Sequence, residues 1–255
     1  MLLTRFSRYL KPVESKTEKT AVNERLQAQI DAQENRSFEH GFLHIPKTGG
    51  SGADDMLVAL SKQGITCPVK FSHAWRFRDI VTCYPDISVS FILRDPIERI
   101  ASGFLSRMRM GRPRNNSAWS EGEAAAFAFF RQPEEFLLAL IGDDEREKSA
   151  ALFAQRAIQH VRFNYKYYFK SVENLKKHSG NIGIVGSIDQ VESFLVRFAD
   201  QARLKRDDVL GNYKKAHVGN SPSLSQLGDT QMEALRSVFS REYELYHYLK
   251  SLVDE

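Results

Sequence analysis

Cysteine is scarce in this chain. Its 255 residues include 2 cysteines, Cys67 and Cys83. That count rules out a scaffold built on several disulfides, and with no His/Cys cluster around either thiol no zinc site is expected. The pair reads as two reduced thiols in a reducing compartment. No apolar run approaches the about 18 residues that a membrane-spanning helix needs, and the start, Met-Leu-Leu-Thr-Arg-Phe-Ser-Arg-Tyr-Leu, lacks the apolar centre of a secretory signal. No transmembrane anchor is expected, and the expected location is the cytoplasm. Internal repeats and low-complexity stretches are missing as well. So are the Walker order G-x-x-x-x-G-K-[ST] and the fingerprint G-x-G-x-x-G. Excess charge is small: 36 Lys+Arg against 32 Asp+Glu give a formal +4. That balance suits an anionic ligand and gives no sign of nucleic-acid binding. The only local concentration of positive charge is Arg107, Arg109, Arg112 and Arg114.

What the chain does have is the run Phe42-Leu-His-Ile-Pro-Lys-Thr-Gly-Gly-Ser51. Its apolar start predicts a buried strand. Pro46 to Ser51 then reads as a glycine-bearing turn, and Ala53 to Leu60 as a helix. Strand, small-residue turn and helix is an arrangement that holds an anion, because glycines let backbone N–H groups approach the ligand and a helix N-terminus adds positive potential. Lys47 supplies a full charge; Thr48 and Ser51 supply hydroxyls. The same residues also fit a plain strand–turn–helix corner with an incidental lysine.

A second run of this kind follows. Ser88 to Leu93 is β-branched and apolar, hence a strand. It ends at Arg94-Asp95-Pro96, and Ile97, Ile100, Ala101, Phe104 and Leu105 are spaced for a helix opened by Pro96. Arginine at a strand end can grip a phosphate with two parallel hydrogen bonds, and the hydroxyl of Ser102 lies within the following helix. Val69 to His73 predicts a further strand, as does Asn181 to Gly186. Helices are expected over 123–141, 146–160, 190–202 and 229–252, with polar loops over 107–122 and 211–225. Short apolar strands alternating with helices imply a three-layer α/β/α fold around a central parallel sheet, a P-loop-like nucleotide-binding architecture with its ligand at the C-terminal strand ends. Residues 1–40 are polar and read as an N-terminal extension, partly helical or disordered, with no contribution to the core. Residues 41–255 read as a single α/β domain.

Pro46-Lys-Thr-Gly-Gly-Ser51, followed by Leu93-Arg-Asp-Pro-Ile-Glu-Arg-Ile-Ala-Ser-Gly-Phe104, resembles the sulfotransferase superfamily, whose donor is 3′-phosphoadenosine-5′-phosphosulfate (PAPS). His44-Ile-Pro-Lys-Thr-Gly-Gly50 is similar to the carbohydrate branch that includes the heparan sulfate 2-O- and 6-O-sulfotransferases. Lys215-Ala-His-Val-Gly-Asn-Ser221 resembles the K-x-H-x-N-x-S loop of that branch, with Asn and Ser here adjacent, and Gly183 to Gly186 resembles its late core strand. The resemblance spans about residues 41–250.

It implies that Lys47, Thr48, Gly49, Gly50 and Ser51 hold the 5′-phosphosulfate and that Arg94 and Ser102 hold the 3′-phosphate. Lys215, His217, Asn220 and Ser221 would close over the nucleotide. PAPS would be co-substrate and adenosine 3′,5′-bisphosphate the product, with no metal and with a saccharide or glycolipid as acceptor. Lys47 would stabilise the leaving oxygen. His73 resembles the strand-end histidine that serves as base in several branch members; His44 reads as structural, and Glu98 and Glu121 are runner-up bases. Gly52 departs from the branch, where Ser or Thr is common. Asp54 and Asp55, placed in the first helical turn, would repel an anion unless they point away. The arginines from Arg107 to Arg114 read either as a grip on an acidic acceptor or as a solvated loop, and Tyr165, Tyr167 and Tyr168 either as a sugar platform or as core. Two other functions fit the residues: an anion-binding module without transfer activity, and a P-loop kinase or nucleotidase.

Overall fold

A computed structural model describes residue 24 and residues 27–113, 115–214 and 224–253. The chain divides into two compact units. Among the described residues, one comprises those within 24–95, 165–214 and 241–253, and the other those within 96–164 and 224–240.

The first unit holds the sheet. Strands β1 (Arg36–Leu43), β2 (Cys67–Phe71), β3 (Ser88–Leu93) and β4 (Ile182–Ser187) are all parallel, in the order β2-β1-β3-β4. From β1 the chain passes first to one neighbour and then to the other. The direction therefore reverses between β1 and β3, and the crevice at their C-terminal ends is where a fold of this kind binds ligands.

Alternation along the strands sends neighbouring side chains to opposite faces. Phe42 and Ile92 join Ala53, Met56, Leu57 and Leu60 of α1 (Gly50–Lys62), together with Phe194, Leu195 and Phe198 of the helix Val191–Gln201, in one buried cluster. Phe91, next to Ile92, instead meets Phe169 at a ring separation of 4.9 Å, and Phe169 meets Phe77 at 5.9 Å. These two rings come from α2 (Phe77–Cys83) and from the short helix Tyr165–Phe169. Helices therefore cover the parallel sheet, and the α/β class read from the sequence holds.

The segment before β1 does contribute to the core, contrary to expectation. Ile30 is buried. The Gln33 side chain donates to the Lys70 carbonyl and accepts from the Lys70 N–H, each at 2.8 Å. It thus imitates a strand neighbour along β2.

The second unit is helical among its described residues. It contains α3 (Pro96–Met108), α4 (Glu121–Phe129), α5 (Pro133–Ile141) and α6 (Glu145–Ala157). The expected single helix over 123–141 is two, because Pro133 starts a new helix behind Gln132, which is extended. Phe104 packs on Phe127 and Phe136 at 5.2 and 5.8 Å. Arg99, fully buried, donates to the carbonyls of His160, Val161 and Phe163. Arg107 is also buried; it makes a two-pronged ion pair with Glu123 at 2.6 and 2.7 Å and donates to the Ser117 and Ala118 carbonyls. Its expected role in gripping an acidic acceptor is therefore corrected: its guanidinium is spent on internal partners. Arg109 and Arg112 are exposed. No helix among the described residues is long and apolar enough to cross a membrane.

Candidate functional site

β1 leads straight into the turn Pro46–Gly49. Two of its residues, Lys47 (φ 69°) and Gly49 (φ 90°), adopt the left-handed conformation. Glycine does so freely, whereas a lysine there costs on the order of 1–3 kcal/mol, a form of strain that gathers at functional sites. The turn aims the chain into α1, which starts at Gly50, three residues before the helix expected from the sequence. No side chain caps its N-terminus, and its first turn carries no acidic residue. The orphan N–H groups and the positive end of the helix dipole thus lie beside Lys47, as an anion requires. Asp54 and Asp55 fall in the second turn, and Asp54 is turned onto the His44 imidazole.

Close contacts account for two of the glycines. A Cβ on Gly50 would lie 2.8 Å from Cδ2 of His44. One on Gly52 would lie 2.5 Å from the Tyr213 ring and 2.9 Å from the Lys214 carbonyl. The departure at residue 52 therefore has a steric cause: the chain before the 215–221 loop is seated against α1. Thr48 is buried, and its hydroxyl donates to the Ile45 carbonyl at 2.9 Å, so it braces the turn from within. Ser51 is half-buried.

His73 lies two residues past the end of β2. Its Nδ1 is 2.8 Å from the His44 carbonyl. A carbonyl only accepts, so Nδ1 carries the proton and Nε2 the lone pair, the tautomer a general base needs. Burial, joined by the charge of nearby His44 and more weakly of Lys47, pulls its pKa down to about 4, against the opposing His44 carbonyl and Asp54. The two imidazoles meet edge to face with centroids 4.2 Å apart. His44 Nδ1 donates to Asp54 Oδ2 at 2.6 Å. Burial alone would raise the Asp54 pKa, but the His44 hydrogen bond and the charges of His44, Lys70 and His73 outweigh it and hold the carboxylate ionised.

Arg94 follows β3 and is largely buried. Tyr165 holds its backbone from both sides: the Arg94 N–H donates to the phenol at 2.9 Å, and the phenol donates to the Arg94 carbonyl at 2.6 Å. Tyr168 donates to the His73 carbonyl at 2.8 Å and Tyr167 to the Ala74 carbonyl at 3.0 Å. The tyrosines considered as a sugar platform are instead a brace for the loops after β2 and β3. Buried Glu242 accepts from the Tyr165 and Lys166 N–H groups at the start of this brace, at 2.7 and 3.1 Å. Neighbouring Tyr243 donates to Asp95 at 2.8 Å.

The structure thus gathers Lys47, Thr48, Gly49, Gly50, Ser51, His73 and Arg94 on the strand ends of the sheet-bearing unit. Ser102 is half-buried on α3 of the helical unit. Lys215, His217, Asn220 and Ser221 lie outside the described residues. Sequence reading missed Glu242 and the partnership of Asp54 with His44. The ten-residue separation of the latter two carried no signal, because α1 was expected to start later.

A parallel sheet with an uncapped, lysine-bearing turn at its switch point defines an anion-binding class of site. A family model described as the sulfotransferase family matches residues 41–249, and the chain belongs to the sulfotransferase family. Comparison with curated proteins and with solved structures gives no match.

Proposed function

We propose that this protein transfers a sulfuryl group from PAPS to a hydroxyl of a saccharide or glycan, as the carbohydrate branch of the family does. The observation that carries this reading is the convergence of Lys47, the uncapped start of α1 and the Nδ1–H tautomer of His73 at neighbouring strand ends.

In this reading the N–H groups around Gly49 and Gly50 bind the phosphosulfate oxygens. Lys47 stabilises the charge that gathers on the leaving phosphate oxygen as the acceptor oxygen bonds to sulfur and the bridging bond breaks. Preorganised donors of this kind are worth a few kcal/mol each. Nε2 of His73 takes the proton from the acceptor hydroxyl. A negative donor beside Lys47 opposes the forces that lower the His73 pKa, so donor binding makes the base stronger. Arg94 and Ser102 take the 3′-phosphate, and Lys215, His217, Asn220 and Ser221 close over the nucleotide.

Calorimetry should find adenosine 3′,5′-bisphosphate bound much more tightly than adenosine 5′-monophosphate or ADP; equal affinities sink the assignment of donor. Radiolabelled PAPS offered with oligosaccharides and glycolipids should label one acceptor class. A chain that binds the bisphosphate but labels none of them is a binding module.

A further inference from the structure

A carboxylate drawn largely out of water is costly unless it is paired and hydrogen-bonded. Asp54, whose side chain keeps 15 % of its exposure, is such a group. Its Oδ2 accepts the short bond from His44, and Lys70 Nζ lies 3.8 Å away, while its Oδ1 is buried without a hydrogen-bond partner. A carboxylate kept half-satisfied inside a helix that begins at an anion-binding turn calls for an explanation beyond the stability of α1.

The explanation lies in what His44 does with its other groups. Its N–H donates to the Phe71 carbonyl at 3.0 Å, which continues the β1–β2 pairing one residue past β1. Its ring is set on one side by Gly50, where only a missing Cβ leaves room, and on the other by the edge-to-face contact with His73. Its carbonyl selects the His73 tautomer. Asp54 is the group that fixes the rotation of this ring. A swing of the His44 imidazole would disturb the face against which His73 rests and the start of the anion turn together.

We infer that Asp54 is a positioning residue: by fixing the His44 imidazole against the His73 ring it keeps His73 Nδ1 seated on the His44 carbonyl, and so in the Nδ1–H tautomer. The effect on catalysis rests on the reading of His73 as the base. Charged and titratable groups that act on His73 include His44, Asp54 and Lys47, and Lys70 acts on Asp54. The relay moves no proton from Asp54 to the substrate; it sets an orientation.

Asp54→Leu keeps the branching at Cγ and removes the acceptor; Asp54→Asn is isosteric and keeps an acceptor without the charge. Where D54L does not fold, Asp54→Ser, short and polar, removes the contact in its place. Nitrogen-15 NMR of histidine-labelled full-length protein reads the tautomer directly. Wild type and D54N should show His73 protonated at Nδ1, and D54L or D54S should show a mixture of tautomers. With labelled PAPS and an unsulfated uronic-acid polysaccharide, D54L or D54S should lose about ten- to hundredfold in kcat, the scale of a small misplacement. D54N should keep kcat within about threefold. Affinity for adenosine 3′,5′-bisphosphate should stay within about threefold in all variants. A D54L or D54S protein that is less stable yet keeps the single tautomer and the wild-type kcat overturns the inference. If the wild-type chain transfers no sulfate but the tautomer still depends on Asp54, the positioning role stands and the proposed function falls.

Discussion

Placing a hydroxyl residue at position 52 is a test with an arithmetic answer. In Gly52→Ser the new Cβ would sit 2.5 Å from Cε2 of Tyr213 and 2.9 Å from the Lys214 carbonyl oxygen. The first contact can be relieved by moving a ring, but the second is with backbone. Overpacking of this sort costs about 1–3 kcal/mol. Residue 52 lies in α1 without a positive φ, so serine recovers about half a kcal/mol of helix propensity. The expected net loss is therefore roughly 0.5–2.5 kcal/mol, read by urea denaturation, or a few degrees in Tm for a chain of this size. A double-mutant cycle with Tyr213→Ala localises the cause. Removing the ring should recover part of the loss, giving a coupling of about 1 kcal/mol in favour of the double variant. A G52S protein as stable as wild type would refute the claim that the seating of Tyr213 and Lys214 dictates this glycine.

Three further outcomes are expected. His73, held near pKa 4 against an ordinary 6.5, contributes stability that is complete above pH 6.5 and disappears as pH falls toward 4; the full amount is roughly 3 kcal/mol at about 1.4 kcal/mol per unit. Denaturation at pH 7 and pH 4.5 should show that difference shrink in His73→Gln, and an unchanged difference would refute the assignment. Arg107→Ala leaves the buried Glu123 carboxylate without its ion pair and should cost about 3–5 kcal/mol, with calorimetric affinity for adenosine 3′,5′-bisphosphate unchanged; wild-type stability with weakened glycan binding would return Arg107 to the acceptor site. Tyr165→Phe removes both phenol contacts with the Arg94 backbone and should cost about 1–3 kcal/mol. It should also narrow the preference for adenosine 3′,5′-bisphosphate over the 5′-monophosphate, and a full preference would separate the brace from the 3′-phosphate site.

The sheet was legible because its strands are pure signals. Ser88 to Leu93 is largely apolar on both faces, as a buried parallel strand must be; β1 was read only from Phe42, because its first residues, Arg36 to His40, are polar or partly exposed and carry no buried-strand pattern. The helix after β1 was placed three residues late because Gly50, Ser51 and Gly52 have poor helix propensity; contacts with His44 and Tyr213 decide there. The helix expected over 229–252 is two, Asp229–Val238 and Ser240–Lys250, interrupted at Phe239. The short helix Phe77–Cys83 went unread because a turn or two of helix gives no period to count, whereas the aromatic run from Tyr165 was readable as a helix face packed into the core. At the site, residues within one motif, such as Lys47 and Gly49, were readable from their order alone. Glu242 and Tyr165 stand 77 residues apart and meet only once the sheet has brought their elements together, so no local pattern announces them.

Glu242 also has a consequence for the order in which the protein is made. Every strand, the turn at Lys47, His73, Arg94 and the three bracing tyrosines precede it in the chain. Until translation passes residue 242, the N–H groups of Tyr165 and Lys166 lack their carboxylate, and until it passes residue 243 Asp95 lacks its phenol partner. A nascent chain thus carries the Lys47 turn and the bracing tyrosines long before the carboxylate that holds the start of the brace, and a product that stops short of Glu242 has the tyrosines but not that anchor.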